Sequence, residues 1–208
     1  MENSDQAFDK LSYALGLSMG NNFRNSGIQE INVNDFADGV AAVFYGSQPK
    51  MSYNEAKDII NKFFTELDAK QKEQLAKSAE INKQAGEAFL KENGKRAEVK
   101  TTPSGLQYEV LVEGSGKSPS RDDRVEVHYT GKLIDGTVFD SSVERGVPAT
   151  FGVTQVIPGW VEALQLMKEG AKWRLFIPSN LAYGPQGAGP TIGPNSTLIF
   201  DVELLKVL

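Results

Sequence analysis

Val127-His128-Tyr129-Thr130-Gly131-Lys132-Leu133-Ile134-Asp135-Gly136-Thr137-Val138-Phe139-Asp140-Ser141-Ser142 is the stretch whose reading decides the fold. Val127 and Tyr129 alternate with His128 and Thr130 at the period of a strand, and Asp135-Gly136 is the pair that favours a two-residue hairpin turn. Phe139-Asp140 then sets a large apolar ring beside a carboxylate, which points to a pocket rather than to a plain sheet face. Outward from this hairpin, residues 106–112, 124–133, 171–177 and 197–207 read as strands. Residues 158–166 read as a short helix opening on Pro158, a residue with no amide hydrogen to lose at the first helical position. The expectation is an α+β fold in which a small antiparallel sheet wraps over one helix.

Before about Thr101 the period changes from strand to helix, which marks a domain boundary. Phe8, Leu11, Leu15, Met19 and Phe23 form one stripe, ended by Asn25-Ser26-Gly27. A second helix is expected over residues 34–45, with Phe36, Val40, Val43 and Phe44 on one side and Gly46 as its stop. Ser52 followed by Glu55 is a capping box that starts a third helix. Asn93-Gly94, residues tolerant of positive φ, would end it after about 40 residues, or about 60 Å. Ile59, Ile60, Phe63, Phe64 and Leu67 give its first part an apolar face expected to be buried, whereas residues 69–80 are polar and expected to be solvated. No heptad is sustained, so a stalk is expected instead of a coiled coil. Three such helices cannot easily bury their own apolar faces, which predicts a homodimer paired through a symmetric interface. The alternative is a monomeric helical bundle folded onto the second domain.

At 208 residues the chain can hold two modest domains, and 40% hydrophobic with 24% charged residues excludes a disordered or membrane-like composition. No apolar stretch is long enough to span a bilayer. The net charge of -5 argues against nucleic acid as a partner. With no cysteine, disulfides, thiolate metal sites and cysteine nucleophiles are excluded. His128 has no companion ligand and is read as structural, so neither metal nor cofactor is expected. Ser141-Ser142 lacks the glycine elbow of a serine hydrolase, and the glycine-rich residues 184–190 lack a phosphate-binding fingerprint. The start, Met1-Glu2-Asn3-Ser4-Asp5, has neither the basic residues nor the apolar run of a secretory signal. A cytoplasmic location is the simpler expectation, with a periplasmic one if a signal peptide has been removed.

In order and spacing, Tyr129, Phe139-Asp140, Val156-Ile157-Pro158-Gly159-Trp160, Ala182-Tyr183-Gly184 and the closing strand from Thr197 to Leu204 resemble the FKBP-type peptidyl-prolyl isomerases. Thr102-Pro103-Ser104-Gly105-Leu106-Gln107-Tyr108 resembles the opening of the catalytic domain in the bacterial Mip and FkpA group. In that group an N-terminal helical part dimerises and a long helix carries the isomerase domain. The resemblance implies residues 1–50 as a helical dimerisation domain, 51–95 as a long connecting helix and 96–208 as an FKBP-type isomerase domain. It implies Tyr129, Phe139, Asp140, Tyr183 and Phe200 as catalytic residues and Arg145, Val156, Ile157, Trp160 and Ile192 as substrate-binding residues. Trp160 would be the floor of the pocket, and Asp140 at the rim would be tied to Tyr129 and Arg145. The Ile157 amide and the Tyr183 hydroxyl would meet ligand carbonyls. Ala149 stands where eukaryotic members commonly carry an aromatic, so that wall is expected to be open, and the loop after Tyr183 is expected to overhang the pocket as a flap.

The implied activity is rotation about X-Pro bonds in folding proteins, joined by chaperone activity. The competing reading is a dimeric holdase with an incidental pocket. Rotation needs no nucleophile and no metal, only a barrier lower than the roughly 18 to 20 kcal/mol set by amide resonance. The implied partners are proline-containing polypeptides, a second copy of the chain and, as candidate inhibitors, macrolides such as tacrolimus.

Overall fold

The computed structural model describes residues 8–208, so the reading of Met1-Glu2-Asn3-Ser4-Asp5 lies outside the described residues. Three helices come first: α1 (Lys10–Asn25), α2 (Val33–Tyr45) and α3 (Tyr53–Asn93). Two compact units meet within α3, one up to Gln71 and the other from Lys72 to Leu208. Each helix starts where a side chain accepts an otherwise unpaired amide. Asp9 accepts from Ser12 at 2.7 Å, Asn32 from Asn34 and Asp35, and Ser52 from Glu55 at 3.2 Å. Gly46 ends α2 in the left-handed conformation that its lack of a side chain permits.

Two expectations for α3 change. Asn93 and Gly94 are not at positive φ. What Gly94 provides is room, since a Cβ there would lie 2.9 Å from Gln107 Nε2, whose amide donates to the Leu90 carbonyl at 2.9 Å. The apolar face at the start of α3 is not buried either: Ile59, Ile60, Phe63 and Phe64 stand exposed. Neither α1 nor α2 has a buried residue, and Phe44 is 81% exposed. Phe23 and Phe36 meet edge to face at 5.3 Å, tying α1 to α2.

The second unit contains seven strands, β1 (Val99–Thr101), β2 (Gln107–Val112), β3 (Arg124–Leu133), β4 (Val138–Ser141), β5 (Ala149–Gly152), β6 (Lys172–Ile177) and β7 (Leu198–Val207), with α4 (Pro158–Leu166) between β5 and β6. They form one antiparallel sheet in the order β1-β2-β6-β7-β3-β4, with β5 pairing the other part of β3. The α+β expectation, a sheet over one helix, holds. Along β3, Val125, Val127 and Tyr129 face inward at the two-residue period, and Trp160, Ala163 and Leu164 of α4 close the core against them. The core takes in Leu106, Leu175, Ile177, Leu198 and Leu204, all almost wholly enclosed.

The β3–β4 connection is longer than the expected two-residue loop. Gly136 N–H donates to the Leu133 carbonyl at 3.0 Å and Leu133 N–H to the Thr137 carbonyl at 2.9 Å, with Gly136 at φ 91. This places the turn over residues 133–136, with Gly136 as its last residue in the left-handed position. Asp135 Oδ1 accepts from Thr137 N–H at 2.9 Å and braces the same bend. The second part of α3 belongs to this unit. Phe89 and Leu90 pack on Val99, Phe176 and Ile199, and the buried Asn93 donates to Gln107 at 2.9 Å.

Candidate active site

A cavity of about 630 Å³ opens between β3, β4, the start of α4 and the loop before β7. Tyr129 from β3 and Phe200 from β7 rise from the sheet, with Trp160 from the first turn of α4 beneath them. Trp160 meets Tyr129 and Phe200 edge to face, each with ring centres 5.3 Å apart. Phe139 of β4 completes the wall, 5.5 Å from Phe200. Gly131 makes this meeting possible: a Cβ there would lie 2.6 Å from both the Phe139 and the Phe200 rings. Val156, Ile157, Tyr183 and Ile192 line the same cavity. Nine of the ten residues expected at the site thus border one space. The tenth, Arg145, stands behind Asp140.

Among the described residues Asp140 is the one carboxylate lining the cavity. It accepts hydrogen bonds from the Tyr129 hydroxyl and from the Arg145 guanidinium, which also donates to the Tyr129 oxygen at 3.1 Å and lies over its ring at 5.8 Å. Three groups from β3, β4 and the following turn therefore fix one another. Burial works to raise the Asp140 pKa, but the hydrogen bonds from Tyr129 and Arg145 together with the guanidinium charge hold it below the usual carboxylate range. Burial, then the bond to Asp140, push the Tyr129 hydroxyl up. At neutral pH the trio is carboxylate, phenol and guanidinium, so it positions and polarises without offering a proton near neutrality.

Beyond those ten, further residues line the cavity. Phe151, at the end of β5, stands edge to face with Trp160 at 6.0 Å. Gln155 lies in the 3-10 turn Val153–Gln155, with its side-chain carbonyl accepting from Gly152 N–H at 3.3 Å. Ala188, Gly189, Pro190 and Thr191 form the far wall, as the glycine- and proline-rich flap suggested. Ala149 pairs with Val127 and does not line the cavity. His128 points to a hydrogen bond with the Ser142 hydroxyl at 3.0 Å, and that hydroxyl also accepts from Tyr129 N–H at 2.8 Å. Among the described residues no helix is long and apolar enough to cross a membrane.

Residues 115–205 match the family described as FKBP-type peptidyl-prolyl cis-trans isomerase, and residues 8–110 match the domain amino terminal to it. The chain is 50% identical over 198 residues to the probable FKBP-type peptidyl-prolyl cis-trans isomerase FkpA of Neisseria meningitidis, covering 94% of this chain and 73% of that one. It is 46% identical to the FKBP-type 22 kDa peptidyl-prolyl cis-trans isomerase of Escherichia coli, over 95% of this chain and 94% of that one. The crystal structure of FkpA from Escherichia coli superposes with a TM-score of 0.73 at 39% identity, covering all of this chain and 98% of that one. A relative from Legionella longbeachae, 49% identical over 96% of this chain and 85% of its own, is named Outer membrane protein MIP. The cytoplasmic expectation gains no support from these relatives.

Proposed function

The chain belongs to the FKBP-type peptidyl-prolyl cis-trans isomerases, and from that premise we propose that the Tyr129–Trp160–Phe200 cavity is where the X-Pro bond turns. The observation that carries this is the aromatic floor and wall with a single, fully engaged carboxylate at the rim. As an amide twists, its resonance and charge separation fall, so a cavity lined by rings favours the twisted form over the planar one relative to water. The proline ring rests on Trp160, between Phe139, Phe200 and Tyr129. Asp140, held by Arg145, keeps the Tyr129 ring and hydroxyl in place. The Ile157 amide and the Tyr183 hydroxyl take the flanking carbonyls, and Val156 and Ile192 confine the ring from either side. Cis and trans X-Pro forms differ by only about 0.5 to 1 kcal/mol, so the site speeds both directions and leaves the equilibrium where it was.

Proline-containing polypeptides are the substrates on this reading, and macrolides such as tacrolimus occupy the same cavity. The test is the cis-to-trans rate of a short X-Pro peptide with wild-type chain, Phe139→Ala and Asp140→Ala. The expected result is strong acceleration by wild type, blocked by tacrolimus and weakened in both variants. Full activity in both variants would end the assignment.

The exposed apolar faces of α1, α2 and early α3 support pairing of two copies through residues 1–50, with α3 as the connector to the isomerase domain. The relative named as an outer membrane protein supports a location outside the cytoplasm, the periplasmic alternative. The same apolar faces favour a second reading, a holdase that shields unfolded chains. It predicts that full-length Phe139→Ala still suppresses aggregation of a denatured client as wild type does.

A further inference from the structure

The loop that forms the far wall of the cavity has a second side. Ala188 and Ile192 exchange backbone hydrogen bonds at 2.8 and 3.2 Å and close its tip, and Asn195 N–H donates to the Gly184 carbonyl at 2.8 Å, closing its base behind Tyr183. Just past the tip the loop is tied to α3 in both directions. Asn82 Nδ2 donates to the Pro194 carbonyl at 2.8 Å, and Asn195 Nδ2 donates to the Ala79 carbonyl at 3.3 Å, one turn back along the helix. Asn195 sits at φ 56, the one described non-glycine residue with positive φ, so the loop takes an uncommon conformation at the point where it is held. Gly193 allows the approach, since a Cβ there would lie 3.0 Å from Asn82 Nδ2. Pro194 is buried and only two residues from Ile192, which lines the cavity and is itself buried. No slack separates the tie from the wall.

We propose that Asn82 is a positioning residue of the isomerase: through Pro194 it sets where Ile192 and the wall of residues 188–192 stand, and so how tightly a peptide is held. The proposal rests on the cavity being the isomerase site. Asn82 touches no substrate and carries no charge, so its loss acts on the wall's position and not on the rim trio. Without its donor, the Pro194 carbonyl must be rehydrated, and the loop shifts or loosens to let water in.

The experiment compares full-length wild type, Asn82→Asp, Gly193→Ala and Lys83→Ala, with kcat and KM measured separately on a short X-Pro peptide. Amide hydrogen exchange is followed at Ala188 and Ile192. Asn82→Asp keeps the size but sets a carboxylate oxygen against the carbonyl, Gly193→Ala crowds the same contact from the loop, and the exposed Lys83 serves as a control on the same helix turn. In Asn82→Asp the expected change is a KM about fivefold higher, the scale of one lost neutral hydrogen bond, with kcat changed less and faster exchange at Ala188 and Ile192. Gly193→Ala should move the same quantities in the same direction, and Lys83→Ala should move neither. A KM within about twofold of wild type in both Asn82→Asp and Gly193→Ala, or a raised KM with exchange at Ala188 and Ile192 unchanged, overturns the proposal. Phe139→Ala in the same assay keeps the two readings apart: if it is fully active, the site assignment fails whatever Asn82 does.

Discussion

Leu204 on β7 and Leu15 on α1 are the same residue type placed by equally regular patterns, yet Leu204 is wholly enclosed and Leu15 is 58% exposed. The contrast runs through the two units. From Lys72 onward, sheet and α4 supply each other's cover, and the partly open rings of Phe139, Phe151 and Tyr183 border one cavity. Up to Gln71 the apolar stripes of α1, α2 and early α3 have been formed, capped and left open. Helical periodicity thus dictates that a face exists, whereas enclosure depends on whether another element of the same chain reaches it.

Truncating a side chain in each unit should break the symmetry between them most sharply. Leu204→Ala is expected to lose about 3 kcal/mol of stability in urea unfolding, through lost burial and a residual cavity. Leu15→Ala, measured at concentrations low enough to keep the chain monomeric, should change it by less than about 0.5 kcal/mol. An equal loss at both positions would mean that α1 is enclosed within its own chain. Next in size, Phe44→Glu puts a charge on the open face of α2. It should weaken self-association by about a hundredfold in sedimentation or light scattering while leaving activity on a short peptide within about twofold. If its mass profile matched that of wild type, the helical unit would lose its assigned role.

Within the pocket unit, Gly131→Ala should lower kcat/KM about tenfold and cost about 1–3 kcal/mol, because the new methyl would lie against both Phe139 and Phe200. Retained activity would mean that the two rings can part without harm. The smallest expected effect is with pH. Asp140 has a depressed pKa, so its contribution is fully present above the ordinary carboxylate value, about 3.9, and is lost as the pH falls through the depressed one. The kcat/KM profile should be flat from pH 8 to about 5 and decline only in stronger acid, with the decline missing in Asp140→Asn. A midpoint near neutrality that vanishes in Asp140→Asn would show that the carboxylate is not held as the geometry implies.

Legibility in the sequence followed length and period. The long strands β3 and β7 and the described helices α2, α3 and α4 were readable to within a residue or so, because each carries a repeated pattern or a clear end signal. β1, β4 and β5, of three or four residues, are too short to show alternation, and the 3-10 turn carrying Gln155 has no period at all. Phe151 was therefore missed, although an aromatic a few residues before Val156 was the available signal. The Arg145–Asp140 pairing came only from family resemblance, because five residues across a turn give no geometric rule. Gly94 shows a further ambiguity: glycine marks either positive φ or the need for space, and at that position the buried Gln107 side chain decides for space. The apolar start of α3 was legible as a face but not as an exposed one.

The strand order β1-β2-β6-β7-β3-β4 carries a consequence for how the molecule is made. β7, the last of the described strands in chain order, lies between β6 and β3 and joins two parts of the sheet that otherwise share no edge. At about 5–20 residues per second, the ribosome releases the helices well before the sheet can close. Phe200, one wall of the cavity, arrives on that same strand. A nascent chain therefore forms the apolar faces of its helices early and completes the cavity only once β7 has emerged and paired on both sides.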